Sequence, residues 1–202
     1  TNDIPGFNAP MLFSATGVSG AISVEQGPIL STSDMGGFSA TDLNLNLAPG
    51  EQLSQVTPLA PMLNFNLAVD NPGDVVRFEF ELPLLSYTDL LGIQYMKLLG
   101  DGSLSVFDYF TDDFGVSTGA RLEIKGTDGY TALTKSNYNP SDPKGSPAYL
   151  AIYVQDNGRG DDDIRLGMIR DPGAPANFAI KEAALQAKAL NFNTDPANMP
   201  VS

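Results

Sequence analysis

The chain contains no cysteine, no histidine and no tryptophan. Without Cys or His it has no zinc site of the usual kind and no Ser-His or Cys-His nucleophile pair. It also has no imidazole to move protons, so any catalysis would run on carboxylates, Lys, Tyr or a bound metal. The missing cysteines are neutral about compartment, because disulfides are permitted outside the cell but not required there. Cations are scarce: Lys+Arg number 11 against 24 Asp+Glu, a formal charge of −13. Nucleic acid needs a basic footprint, so the charge argues against it as a partner. Anionic membrane surfaces are disfavoured for the same reason. No apolar run reaches the ~18 residues of a membrane span, so membrane insertion is not expected. No leader-like segment opens the chain, and Thr1 is expected to continue a longer protein.

What is present points to β structure. The hydrophobic fraction of 42% suffices for a core, and 20 Gly with 15 Pro supply many turns. Residues 1–11 read as a linker-like lead-in, and residues 12–25 as one or two short strands. Leu43-Asn44-Leu45-Asn46-Leu47 and Leu63-Asn64-Phe65-Asn66-Leu67 alternate apolar and Asn residues, the period of a half-buried strand. Their asparagine faces suit either a polar ligand or plain solvent. Residues 74–82 (DVVRFEFEL) form the clearest strand, with Val76, Phe78, Phe80 and Leu82 on one face. Residues 86–99 fit a short helix or a strand, and Gly92 with Gly100-Asp101-Gly102 favours a strand running into a hairpin. Further strands are expected over 103–110, 121–125, 130–134 and 149–154, with an irregular loop over 137–147. From Pro175 the chain is Ala-rich, and Ile180, Ala183, Ala184, Ala187 and Leu190 form a helical stripe. The expected fold is therefore all-β: one antiparallel β-sandwich over 1–202, jelly-roll-like, with a helix and tail over 175–202.

The stretch 155–173 (QDNGRGDDDIRLGMIRDPG) crowds Asp156, Asn157, Asp161, Asp162 and Asp163 between glycines and closes on Asp171-Pro172-Gly173. Such oxygens repel one another unless water or a cation stands between them. Glycines let the backbone curl so that several oxygens can face one point. Calcium wants six to eight oxygens at ~2.3–2.6 Å. A solvated acidic turn is the plainer alternative. Thr111-Asp112-Asp113-Phe114-Gly115 is a second acidic turn, and Asp112, Asp113 and Asp128 offer a second site or a rim.

These residues carry a resemblance. Asp156, Gly158, Gly160, Asp161 and Asp163 resemble the opening of the DGGxGDxDGxxNGxIxDPxG signature of choice-of-anchor-type bacterial surface modules, and Gly167, Ile169, Asp171, Pro172 and Gly173 resemble its close, with the stretch two residues shorter than the signature. Asn71-Pro72-Gly73-Asp74 and Gln94-Tyr95-Met96-Lys97 ahead of Gly100-Asp101-Gly102 resemble further parts of that pattern. The chain departs from it at Asn157, Arg159 and Ile164-Arg165. By general character it is also similar to the calcium-dependent peptide-binding domain of giant repeats-in-toxin adhesins. The resemblance implies a calcium-braced module on the bacterial surface. It would hold the C-terminal carboxylate of a peptide or protein on another cell, beside neighbouring domains of the same adhesin. Asp156, Asn157, Asp161, Asp162, Asp163, Asp171, Asp112 and Asp113 are then the expected metal ligands. Asp128, Tyr138, Tyr149 and Arg159 are the expected ligand contacts, with core packing as the other reading of the tyrosines. Two alternatives stand beside this one: a calcium-rigidified spacer, and a carbohydrate-binding module. A glycosidase with paired carboxylates is disfavoured by the absence of Trp.

Overall fold

A computed structural model describes residues 2–3, 12–16, 23–26, 51–60, 62–141 and 147–182. In chain order the strands are β1 (Asn2–Asp3), β2 (Leu12–Thr16), β3 (Ser23–Gln26), β4 (Glu51–Pro58), β5 (Leu63–Ala68) and β6 (Val75–Glu81). A short helix, α1 (Tyr87–Leu91), precedes β7 (Ile93–Leu98), β8 (Leu104–Val106), β9 (Phe110–Thr111) and β10 (Ser117–Gly126). The last three are β11 (Gly129–Ala132), β12 (Ala148–Gln155) and β13 (Met168–Glu182). They form two sheets whose paired strands all run antiparallel. One has the order β1-β2-β6-β12-β10-β11, with β9 also on β10. The other has the order β3-β5-β13-β7-β8, with β4 also on β13. The all-β sandwich expected from the turn-rich composition is the fold observed.

Period-two patterning explains the layers. On β6, Val76, Phe78 and Phe80 turn inward; on β5, Leu63, Phe65 and Leu67 do the same, and all six are buried. The sheets meet through aromatic rings, with Phe65 and Phe78 centroids 4.8 Å apart and Phe78 edge-on to Tyr95 at 6.0 Å. Such pairs add to area burial when tilted or edge-on. A second apolar cluster, containing Met96, Ala174, Ala176 and Phe178, lies on the outer face of the β13 sheet.

β13 is the spine of its sheet. Its first part, from Met168 to Gly173, pairs with β5. Residues Ala176 to Glu182 pair with β4 on the same edge, and Gly173 to Asn177 pair with β7 on the other. The helix expected from residue 175 is therefore corrected over its first turns, because Pro175 to Glu182 are strand. Ala174, Ala176 and Phe178 alternate and are buried, so sheet pairing overrides the weak helical preference of alanine. Residues 183–202 lie outside the described residues, as does the strand expected over 43–47. Asn2–Asp3 of the lead-in pair with β2. Residues 86–99 hold both alternatives in sequence. Ser86 accepts the Asp89 N–H at 3.1 Å and caps α1, after which β7 runs into the β8 hairpin.

Gly119 has φ +103°, and a Cβ there would strike the carbonyl of Asp108, whose residue bridges to Ala120. Gly115 has a similar φ of +81° with open space around it. Gly119→Ala is expected to cost about 2–4 kcal/mol in urea unfolding, against about 1 kcal/mol for Gly115→Ala. Equal losses would mean that the β9–β10 corner is not packed this closely.

Candidate functional site

β12 delivers the acidic stretch at one end of the sandwich. Asp156, 2% exposed, accepts the Gly73 N–H at 2.8 Å and the Gly167 N–H at 2.9 Å. It thereby ties the β5–β6 turn to the start of β13. Asn157 has φ +53°, a left-handed conformation that Asn tolerates better than most residues. Asp161 accepts N–H groups from Asn157 at 2.8 Å, Asp163 at 2.9 Å and Arg170 at 3.0 Å. Asp163 accepts the Arg165 N–H at 2.9 Å and pairs with its guanidinium. That pairing holds the Asp163 carboxyl at about 2, below the usual carboxylate range. The Asp162 N–H reaches the Arg170 carbonyl at 2.9 Å, while the Asp162 side chain is exposed.

Asp171 turns into the sandwich. It is fully buried, and Lys97, 3% exposed, meets its Oδ1 at 2.6 Å. The same ammonium donates to the Gly160 carbonyl and lies 5.1 Å from the Phe107 ring centre. Burial pushes the Asp171 carboxyl up, and the neighbouring Lys97 only partly opposes this. Burial and the Asp171 charge likewise raise the Tyr95 hydroxyl.

The structure brings Asp156, Asn157, Arg159 and Asp161 to Asp163 into one loop, and not to one point. Among the described residues no three acidic side chains are arranged to hold a metal ion. Asp156, Asp161 and Asp163 accept backbone N–H groups. Asp112 caps its own β9–β10 turn through the Phe114 and Val116 N–H groups, with Asp113 exposed beside it. Asp128 is exposed in the β10–β11 turn. Tyr138 is buried and donates to the Leu85 carbonyl at 2.7 Å, and Tyr149 stacks edge-on to Tyr130 at 5.5 Å. Arg159 covers Phe107 at 4.6 Å and donates to Thr118 at 3.2 Å.

A polar recess of about 400 Å³ lies beside the loop. Asn64 and Asn66 of β5 form its floor, with Arg170 of β13. Asp162, Asp163, Ile164 and Arg165 form its wall. Register explains the meeting, since Asn66 is paired with Arg170 and Asn64 with Pro172. Even-numbered residues of both strands face outward here. Among the described residues, neither the Arg170 guanidinium nor the Asp162 carboxylate has a hydrogen bond or an ion pair within 4.0 Å. The alternating asparagines signal the floor in the sequence. Arg165 and Arg170 carry no comparable signal, because their place depends on strand pairing. Compared with known proteins, the chain matches no family model, no curated protein and no solved structure.

A second polar centre lies on the outer face of the first sheet. Glu123 is fully buried between Arg77, at 2.7 Å, and Arg121, at 2.7 Å, and accepts the Tyr153 hydroxyl at 2.6 Å. Burial alone would raise its pKa, but the hydrogen bonds from Tyr153, Arg77 and Arg121 hold it below the ordinary range. A depressed folded pKa contributes stability that is present above the unfolded value of ~4.3 and is lost as pH falls through the folded one. Glu123→Gln is therefore expected to cost about 3 kcal/mol at neutral pH, by removing the buried carboxylate that Arg77 and Arg121 share. Its deficit against the parent protein should shrink as urea melts are repeated below about pH 4. A deficit that does not change with pH would contradict the ion-pair role.

Proposed function

We propose that this chain is a ligand-binding β-sandwich module of a bacterial surface adhesin that captures the C-terminal end of a partner peptide in the recess beside the acidic loop. One observation carries the reading: two asparagine amides, an arginine and an aspartate line one recess of about 400 Å³, and among the described residues the last two side chains have no hydrogen bond and no ion pair within 4.0 Å. Arg170 offers the two-pronged geometry that suits a carboxylate. Asn64 and Asn66 donate and accept along a peptide backbone, and Asp162 accepts N–H groups. The volume lies in the range of small-molecule and peptide-end sites. The lining holds no aromatic ring, which counts against a sugar-stacking role. The surface location and the adhesin context rest on the acidic-loop resemblance.

The self-braced loop supports a second reading, a structural spacer without a ligand. Titration calorimetry with short peptides separates the two. Free C-termini are expected to bind at least tenfold more tightly than amidated ones, and Arg170→Ala should abolish that preference. Indifference to amidation would remove carboxylate capture, and a blank titration throughout would favour the spacer. The same titration in calcium and in chelator decides the metal question: binding only with calcium would place an ion at the Asp162 rim.

A further inference from the structure

We propose that Lys97 of β7 and Asp171 of β13 join as an intramolecular amide, an isopeptide cross-link inside the sandwich. The two side chains are 3% and 0% exposed, and Nζ lies 2.6 Å from Oδ1. That contact places the amine near the ~3–3.5 Å attack range of the carboxyl carbon, where proximity replaces a bimolecular encounter. A buried ion pair carries a desolvation cost that a neutral amine and acid do not. The reaction balances without any further reagent. The Lys97 ammonium passes a proton to the Asp171 carboxylate, and neutral Nζ attacks Cγ. A C–N bond forms, a C–O bond breaks, and the oxygen leaves as water with two protons. One positive and one negative charge disappear together.

Two further observations fit this chemistry. Asp171 Oδ2 and the Tyr95 hydroxyl are both buried and lack a hydrogen-bond partner among the described residues. No closed hydrogen bond joins them to each other or to another group. A hydroxyl in that position can donate to the oxyanion that develops on Asp171 as Cγ turns tetrahedral. The Gly160 carbonyl accepts from the Lys97 amine and fixes its direction. An amide would also remove the buried ion pair and fasten β7 to the spine strand. In a chain without cysteine, it supplies a covalent staple by another route. The inference does not depend on what the recess binds.

Intact-mass measurement of the denatured full chain tests it. The parent protein is expected to be lighter than its sequence by one water molecule. Protease digestion should yield a branched peptide joining the Lys97 and Asp171 segments. Lys97→Arg keeps the positive charge and is expected at full sequence mass. Asp171→Asn would close the same amide with loss of ammonia, reaching the same final mass as the linked parent. A parent at full sequence mass, with trypsin cutting after Lys97, would overturn the proposal. So would a water loss that persists in Lys97→Arg, since that reports cyclisation of an aspartate elsewhere.

Discussion

A carboxylate taken out of water must find donors, and this constraint shapes one whole end of the sandwich. Asp156 finds backbone N–H groups from Gly73 and Gly167, two segments far apart in the chain. Asp161 gathers three N–H groups from its own loop and from Arg170. Asp171 meets the Lys97 ammonium within the core. Hydrogen bonds to ionised groups are worth more than neutral ones, and leaving such a group unpaired costs more still. The acidic loop, the β5–β6 turn and the start of β13 are therefore positioned together, and the recess exists because they are. Lys97 and Arg170 show the division of labour: one cation is sealed against the loop from inside, while the other faces outward across the floor.

Local periodicity made much of the fold legible. β5 and β6 alternate cleanly, and their inward residues are those buried. The Pro and Gly content, with the lack of any long helical pattern before residue 175, pointed to a sandwich. What periodicity could not supply was the partner of each strand. Pro172-Gly173 resembles a turn, yet β13 runs through it, because β5 and β7 hold the backbone on both edges. Likewise the alanines from 174 onward suit a helix in isolation and a closely packed strand in context. Ser86 shows the reverse case: one capping side chain turns five residues of an apparent strand into α1.

The candidate site was legible in part, and for a physical reason. Crowded acidic residues and glycines announce a tightly folded loop, which is what forms. They do not say what the oxygens bind, because backbone N–H groups are invisible to a reading of side-chain types. Asn64 and Asn66 announced a polar face, but their meeting with Arg170 depends on the register of two strands about one hundred residues apart in the chain. Glu123 was hidden in an ordinary alternation of charges: Arg121 is its same-face neighbour on β10, but only sheet assembly brings Arg77 of β6 to it across β12.

The central claim is that the chain's own N–H groups and lysine hold the acidic end. Amide hydrogen exchange at Gly73, Gly167 and Arg170 tests it most directly, measured in chelator and again with calcium. Slow exchange at all three in chelator, unchanged by calcium, is the predicted result. Fast exchange in chelator that slows only when calcium is added would contradict the claim.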